Sequence, residues 1–208
     1  MGLILAFSLV MAVGRHESRR AAVVEDANAI GTTYLRAQTL AEPVRSRSLD
    51  LLPRYTDTSL RLSRSVPGSE EARRAISDGQ ALQRRLWALA GRALHDAPLA
   101  SAPRLYVESL NETIDMQTVR VSAHNNRVPS AVLVLDVAAA AIALGLLAFY
   151  MALLSCGVVT VLLASALVTL LLLVTFDLDR PTRGLIRVPD APLTSVRASM
   201  DEPPAAVP

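Results

Sequence analysis

Residues 137–176 contain no charged side chain, where forty residues of an ordinary soluble domain would carry about ten. A bilayer core is ~30 Å thick and takes ~20 helical residues to cross, so the run fits two crossings. Ser155-Cys156-Gly157 lies at its middle. Small and polar residues with a glycine suit a tight turn, which predicts a helical hairpin of residues 137–154 and 158–176. Within it Ala138, Ala141, Gly145, Ala148 and Ala152 recur every three or four residues. Such a stripe lets helix backbones approach closely, either inside the hairpin or between subunits.

A second apolar run covers residues 1–14 and stops at Arg15, His16, Glu17, Arg19 and Arg20. Fourteen helical residues reach about 21 Å, too short for a complete crossing. The arginines stand at the wrong end for a signal peptide. The run reads as the inner half of a transmembrane helix that enters the cytoplasm at Arg15.

Beyond Arg15 the pattern becomes amphipathic. Val23, Ala27, Ile30 and Tyr34 recur at helical spacing, which extends the helix to about Leu40, with Gly31 as its weak point. Glu25, Asn28, Thr32 and Arg36 fall on a neighbouring face. That polar stripe is either a solvated surface or the lining of a vestibule in an oligomer. Residues 43–48 read as a connection, followed by a short helix carrying Leu49, Leu52, Tyr55 and Leu60 that Pro53 should disturb. Val66-Pro67-Gly68 makes a turn, and Ser69 with Glu70 and Glu71 has the pattern of a helix start. A long helix follows on Ile76, Leu82, Leu86, Leu89, Ala90 and Leu94. Its lone tryptophan, Trp87, reads as packing or as an anchor near the headgroups.

Ser101 and Pro103 open another helix, with Val107, Leu110, Ile114 and Val121 on one side and Glu108, Asn111, Glu112 and Asp115 on much of the rest. Pro129 marks a boundary before the hairpin. The prolines after Arg180 and the ending Glu202-Pro203-Pro204 predict an irregular tail. The expected organisation is a partial transmembrane helix over 1–14, a cytoplasmic helical domain over 15–128, the hairpin over 129–178 and the tail over 179–208. The fold class is all-α, an integral membrane protein with a cytoplasmic helical bundle.

Composition sharpens this outline. Aromatic residues make up 4% and hydrophobic residues 51% of the 208 residues, a bias toward Ala, Leu and Val that favours helices. All 21 basic residues are arginines, interspersed with 19 acids for a net charge of +2, so nothing calls for nucleic acid as a partner. One cysteine, Cys156, rules out an intramolecular disulfide. It is either a small turn residue or an intermolecular thiol.

Arginine placement sets the expected orientation, since cytoplasmic flanks collect positive charge. Arg120 and Arg127 precede the hairpin, Arg180, Arg183 and Arg187 follow it, and the turn is uncharged. The turn is therefore expected outside, with the helical domain and C-terminus on the cytoplasmic side of the cell's inner membrane. Asp136 is level with the far end of the hairpin, near Asp179 and Arg180. An interfacial ion pair of Asp136, Asp179 and Arg180 is the first reading, and a proton or ion site the second.

Catalysis finds little support in the chain. His16, His95 and His124 are far apart and lack the spacing of a helical metal pair. Cys156 is expected on the opposite side of the membrane from them, and there is no Gly-rich phosphate loop. No metal, cofactor or catalytic residue is assigned.

Three stretches carry a resemblance. They are Glu25-Asp26-Ala27-Asn28-Ala29-Ile30-Gly31-Thr32, Leu110-Asn111-Glu112-Thr113-Ile114-Asp115, and Asp177-Leu178-Asp179-Arg180-Pro181 with Gly184 after it. With the order of helices, the chain resembles the bestrophin-like domain family of bacterial multi-pass membrane proteins over nearly its whole length to about Met200. The resemblance implies two hydrophobic segments before the cytoplasmic helices and two after, so that this chain begins inside the second. It also implies kinship with bestrophins, pentameric anion channels whose helices continue from the membrane into a cytoplasmic region. The chain departs from that pattern in offering a single Phe7 where a bestrophin pore has aromatic rings, in lacking a calcium loop, and in placing Pro53 within a helix.

Two functions follow as expectations. One is a homo-oligomeric channel for a small anion, with Glu25, Asn28, Thr32 and Arg36 near its cytoplasmic mouth and Asn111 and Asp115 in the pathway or a polar network. The other is a non-conducting scaffold or sensor whose cytoplasmic helices bind a partner.

Overall fold

The computed structural model describes residues 2–154, 157–179, 184 and 186–203. Seven helices account for most of them: α1 (Gly2–Ala37), α2 (Val44–Arg64), α3 (Glu70–Asp96), α4 (Ser101–Asn125), α5 (Ser130–Leu153), α6 (Val158–Asp179) and α7 (Ala191–Ser199). No strand occurs among the described residues. The chain divides into two compact units, residues 1–17 with 126–187, and residues 18–125 with 188–208.

The first unit holds the start of α1 and the pair α5 and α6. At 1.5 Å per residue the pair measure about 36 and 33 Å, and both are long and apolar enough to cross a bilayer. Their apolar side chains face outward: Ile142, Leu146, Phe149, Leu162 and Leu170 are all well over half exposed. The core helix of a water-soluble protein buries such residues. Gly157 opens α6 with φ +109°, a left-handed conformation that favours glycine. Ser155 and Cys156 lie outside the described residues. The small-residue stripe of Ala138, Ala141, Gly145, Ala148 and Ala152 is exposed, so it is not the hairpin's own seam. Asp136 and Ala140 are the fully buried positions of α5. A small apolar core in this unit joins Ala12, Val128 and Leu178 with flanking Leu9, Val132 and Val174.

The second unit is a bundle of the rest of α1 with α2, α3, α4 and α7. Its core includes Ile30, Leu52, Tyr55, Leu86, Tyr106 and Leu110, all without measurable exposure. Helix α3 begins where its sequence predicts, the Ser69 hydroxyl accepting from the Ala72 amide at 3.2 Å and Gly68 supplying the turn at φ +78°.

Three expectations about this unit are revised. Helix α2 starts at Val44, inside the predicted connection, and runs unbroken through Pro53 to Arg64. A proline in a helix interior costs ~3 kcal/mol, but Leu51, Leu52 and Tyr55 beside it are buried in the core, and that burial is worth more than the local penalty. Gly31 likewise does not interrupt α1. Its bare face receives α7, with Val196 Cγ2 3.6 Å from where a Cβ would stand. Finally, the tail is not irregular throughout. Nine residues are too few for a stable isolated helix, and α7 forms because it docks: Leu193 is fully buried, the Tyr34 hydroxyl donates to the Met200 carbonyl at 3.1 Å, and Arg64 and Arg197 pair with Asp190 and Asp57 at 2.8 and 2.9 Å.

Candidate functional site

Six of the polar or hydroxyl-bearing residues that the second unit buries lie along the seam of α1 and α4. Arg19, Asp26 and Thr33 are spaced by seven on α1 and are all buried, as are Tyr106, Thr113 and Arg120, spaced by seven on α4. A period of seven keeps a side chain on one seam of a packed helix pair. The contacts run antiparallel. Thr33 and Thr113 share a hydrogen bond of 2.8 Å, Arg120 Nη1 donates to Asp26 Oδ2 at 2.6 Å, and Arg19 Nε donates to the Ala123 carbonyl at 3.3 Å.

Arg120 is the hub. Its other terminal nitrogen donates to the Ser59 carbonyl and the Ser63 hydroxyl of α2, so one guanidinium joins α1, α2 and α4. A neighbouring set brings in α3: Gln83 Nε2 donates to Gln117 Oε1 at 2.5 Å and to the Tyr55 hydroxyl at 3.2 Å. Gly79 admits this set, since a Cβ there would stand 2.6 Å from Gln117 Nε2.

Burial pushes the Asp26 carboxyl above the usual carboxylate range, and the Arg120 charge pulls it back. Tyr55 is also raised, by burial first and by the Asp26 charge second. Breaking a buried ion pair is far more costly than never having had one, and through these contacts the network ties α1, α2, α3 and α4 together. No group of three or more potential metal ligands occurs among the described residues.

The residues predicted from the sequence stand beside this network. Glu25, Asn28 and Thr32 form an exposed face of α1, while Asp26, one residue along, is the buried member. Arg36 is half-buried and donates to the Leu105 carbonyl of α4 at 2.8 Å, with Glu108 at 3.5 Å. Asn111 and Asp115 are exposed and bond to each other at 3.1 Å along α4. No hydrogen bond joins Glu25, Asn28 or Thr32 to Asn111 or Asp115. The signal for Asp26 and Thr33 was present in the chain, as polar positions inside the apolar pattern of Val23, Ala27, Ile30 and Tyr34.

In the first unit Asp179 Oδ1 accepts from the Val128 amide at 2.8 Å, and Asp177 Oδ2 from the Ile186 amide at 2.8 Å. Gly184 lies so close that a Cβ would meet Asp177 Oδ1 at 2.7 Å and its carbonyl at 2.8 Å. The Asp177-Leu178-Asp179 stretch and its glycine thus hold the chain on either side of the hairpin. Asp136 is 1% exposed and neither carboxylate oxygen has a hydrogen-bond partner among the described residues. Arg180, the cation expected beside it, lies outside the described residues.

A bundle fixed by a buried polar seam, together with two lipid-compatible helices, defines an all-α membrane protein. A family model for the bestrophin-like domain matches residues 1–193, and the chain belongs to that family. No curated protein and no solved structure matches it.

Proposed function

We propose that the chain is the protomer of a homo-oligomeric anion channel of the bestrophin type, with α1 lining the path. The bundle and C-terminus are placed in the cytoplasm and the hairpin turn outside, as the arginine distribution favours. The observation that carries the reading is the two-sidedness of α1. Its Asp26, Ala27, Ile30 and Thr33 are locked into the bundle, while Glu25, Asn28 and Thr32 are exposed on the other side. A rigid helix that presents polar groups on its free face is what a wet axial path requires. Exposed Val24 and Leu35 on the same helix supply apolar contact area between copies.

Purified protein in liposomes tests this by anion flux. Flux that Asn28→Leu or Thr32→Leu lowers supports the assignment. Absence of flux, or flux indifferent to these positions and to Arg36, counts against it. A scaffold is the second reading, and one contact favours it: the Arg36 guanidinium, the cation of the stripe, is already engaged by Leu105 and Glu108. A non-conducting oligomer with a dry axis and stable capture of a protein partner is what that reading predicts.

A further inference from the structure

The second unit pairs its arginines unevenly. Arg61 meets Asp78 at 2.9 Å, Arg73 and Arg74 meet Glu70 at 2.6 and 3.1 Å, and Arg197 meets Asp57 at 2.9 Å. Arg47, Arg85 and Arg92 have no carboxylate partner among the described residues, and Arg92 has only a 3.4 Å bond to the Ala88 carbonyl of its own helix. These three line one cavity of about 380 Å³ between α2 and α3, with Asp50, Leu51, Ala88 and Leu89.

Its chemistry selects among ligands. Leu51 and Leu89 are core residues, 4% and 3% exposed, so the floor is apolar and firm. Asp50 is the one acidic wall residue, and its Oδ1 already accepts from Arg54 at 3.1 Å. Three exposed arginines therefore line the cavity against one carboxylate, one oxygen of which is held by Arg54. Guanidinium forks match oxyanions bidentately, and phosphate best of all. The volume falls in the range of small-ligand sites, ~300–1,000 Å³, and is far larger than a halide needs. We infer that the cavity between α2 and α3 is a binding site for a phosphoryl group, which Arg47, Arg85 and Arg92 hold against the apolar floor of Leu51 and Leu89.

The site is separate from the polar face of α1 and does not depend on conduction. A soluble phosphate ester and a lipid headgroup share this chemistry, and the test has an arm for each. Full-length protein in detergent is titrated with inorganic pyrophosphate by calorimetry at low salt. In parallel, native mass spectrometry reads retention of phosphatidic acid against phosphatidylcholine. The variants are Arg85→Gln with Arg92→Gln and, as a control of equal charge change, Arg73→Gln with Arg74→Gln.

Saturable binding in either arm that the first pair weakens by about tenfold or more, as loss of charged hydrogen bonds implies, and that the control pair leaves within about twofold, supports the site. Pyrophosphate alone then marks a soluble ligand, and phosphatidic acid alone a headgroup. No saturable binding in either arm overturns the proposal, as does equal weakening by both pairs, which is bulk charge. A change in native mass on Arg85→Gln with Arg92→Gln, without any effect of pyrophosphate, overturns it in favour of a contact between copies.

Discussion

Replacing Arg120 by methionine tests the account of the bundle at its hub. The guanidinium is 4% exposed and its partner Asp26 fully buried, 2.6 Å apart. Removing one member of such a pair strands the other and costs ~3–5 kcal/mol. Arg120→Met also strips the Ser59 carbonyl and Ser63 hydroxyl of their donor, so the upper half of that range is expected. Asp26→Leu leaves Arg120 those two acceptors and should cost about 3 kcal/mol. The double variant removes both charges, and its loss should be ~2 kcal/mol or less, far below the sum of the singles, which is the signature of coupling.

The sign with pH follows from Asp26. In Arg120→Met burial acts on its carboxyl unopposed, so the folded pKa moves further above the unfolded ~3.9. A group raised on folding gives stability that is complete below its unfolded pKa and lost as pH rises through the folded one. The Arg120→Met deficit should therefore be smaller at pH 5 than at pH 8. Denaturation followed by the single tryptophan, Trp87 on α3, reads the bundle directly. Additive single and double losses, or an Arg120→Met loss under ~1 kcal/mol, would refute the reasoning.

Three further outcomes follow. Gly79→Ala puts a methyl group 2.6 Å from Gln117 Nε2 and 3.2 Å from Thr58 Oγ1. Moving the Gln117 amide forfeits its bond to Gln83, and after the ~1 kcal/mol that alanine gains over glycine in a helix the net loss should be up to ~2 kcal/mol, measured by the same denaturation. Leu193→Ala empties a fully buried position of α7 at ~2–5 kcal/mol, and amide exchange should then speed up in Ala191–Ser199 before the rest of the bundle. Burial pushes the Tyr106 hydroxyl up to about 12, against ~10 in an unfolded chain, so it contributes stability that is complete below pH ~10 and lost toward pH ~12, up to ~3 kcal/mol. Absorbance at 295 nm during alkaline titration should contain a late component that Tyr106→Phe removes.

The apolar pattern disclosed the hairpin and the long helices because each residue in them reports its surroundings locally: forty uncharged residues have few alternatives, and Ser69 with two acids after it has one use. The buried seam was harder to read. Asp26 differs from Glu25 only by the hundred degrees that one residue turns a helix, and which polar residue points inward depends on where α4 packs. That information resides in Arg120, 94 positions later. Pro53 and α7 were misread for a related reason. Local propensity disfavours both, and Leu52, Tyr55 and Leu193 outweigh it only once the bundle exists to bury them. The Asp177-Leu178-Asp179 stretch was visible as a motif, but its work is to accept backbone amides at Val128 and Ile186, partners that side-chain patterns do not announce.

The channel reading stands on copies of α1 surrounding a path, so the mass of the assembly decides most directly. Native mass spectrometry of the detergent-purified chain is predicted to give a closed ring of four or more subunits, which can enclose an axis lined by Glu25, Asn28 and Thr32. A monomer or dimer across a range of protein concentrations and detergents would contradict it, because two copies of this helix cannot surround a path.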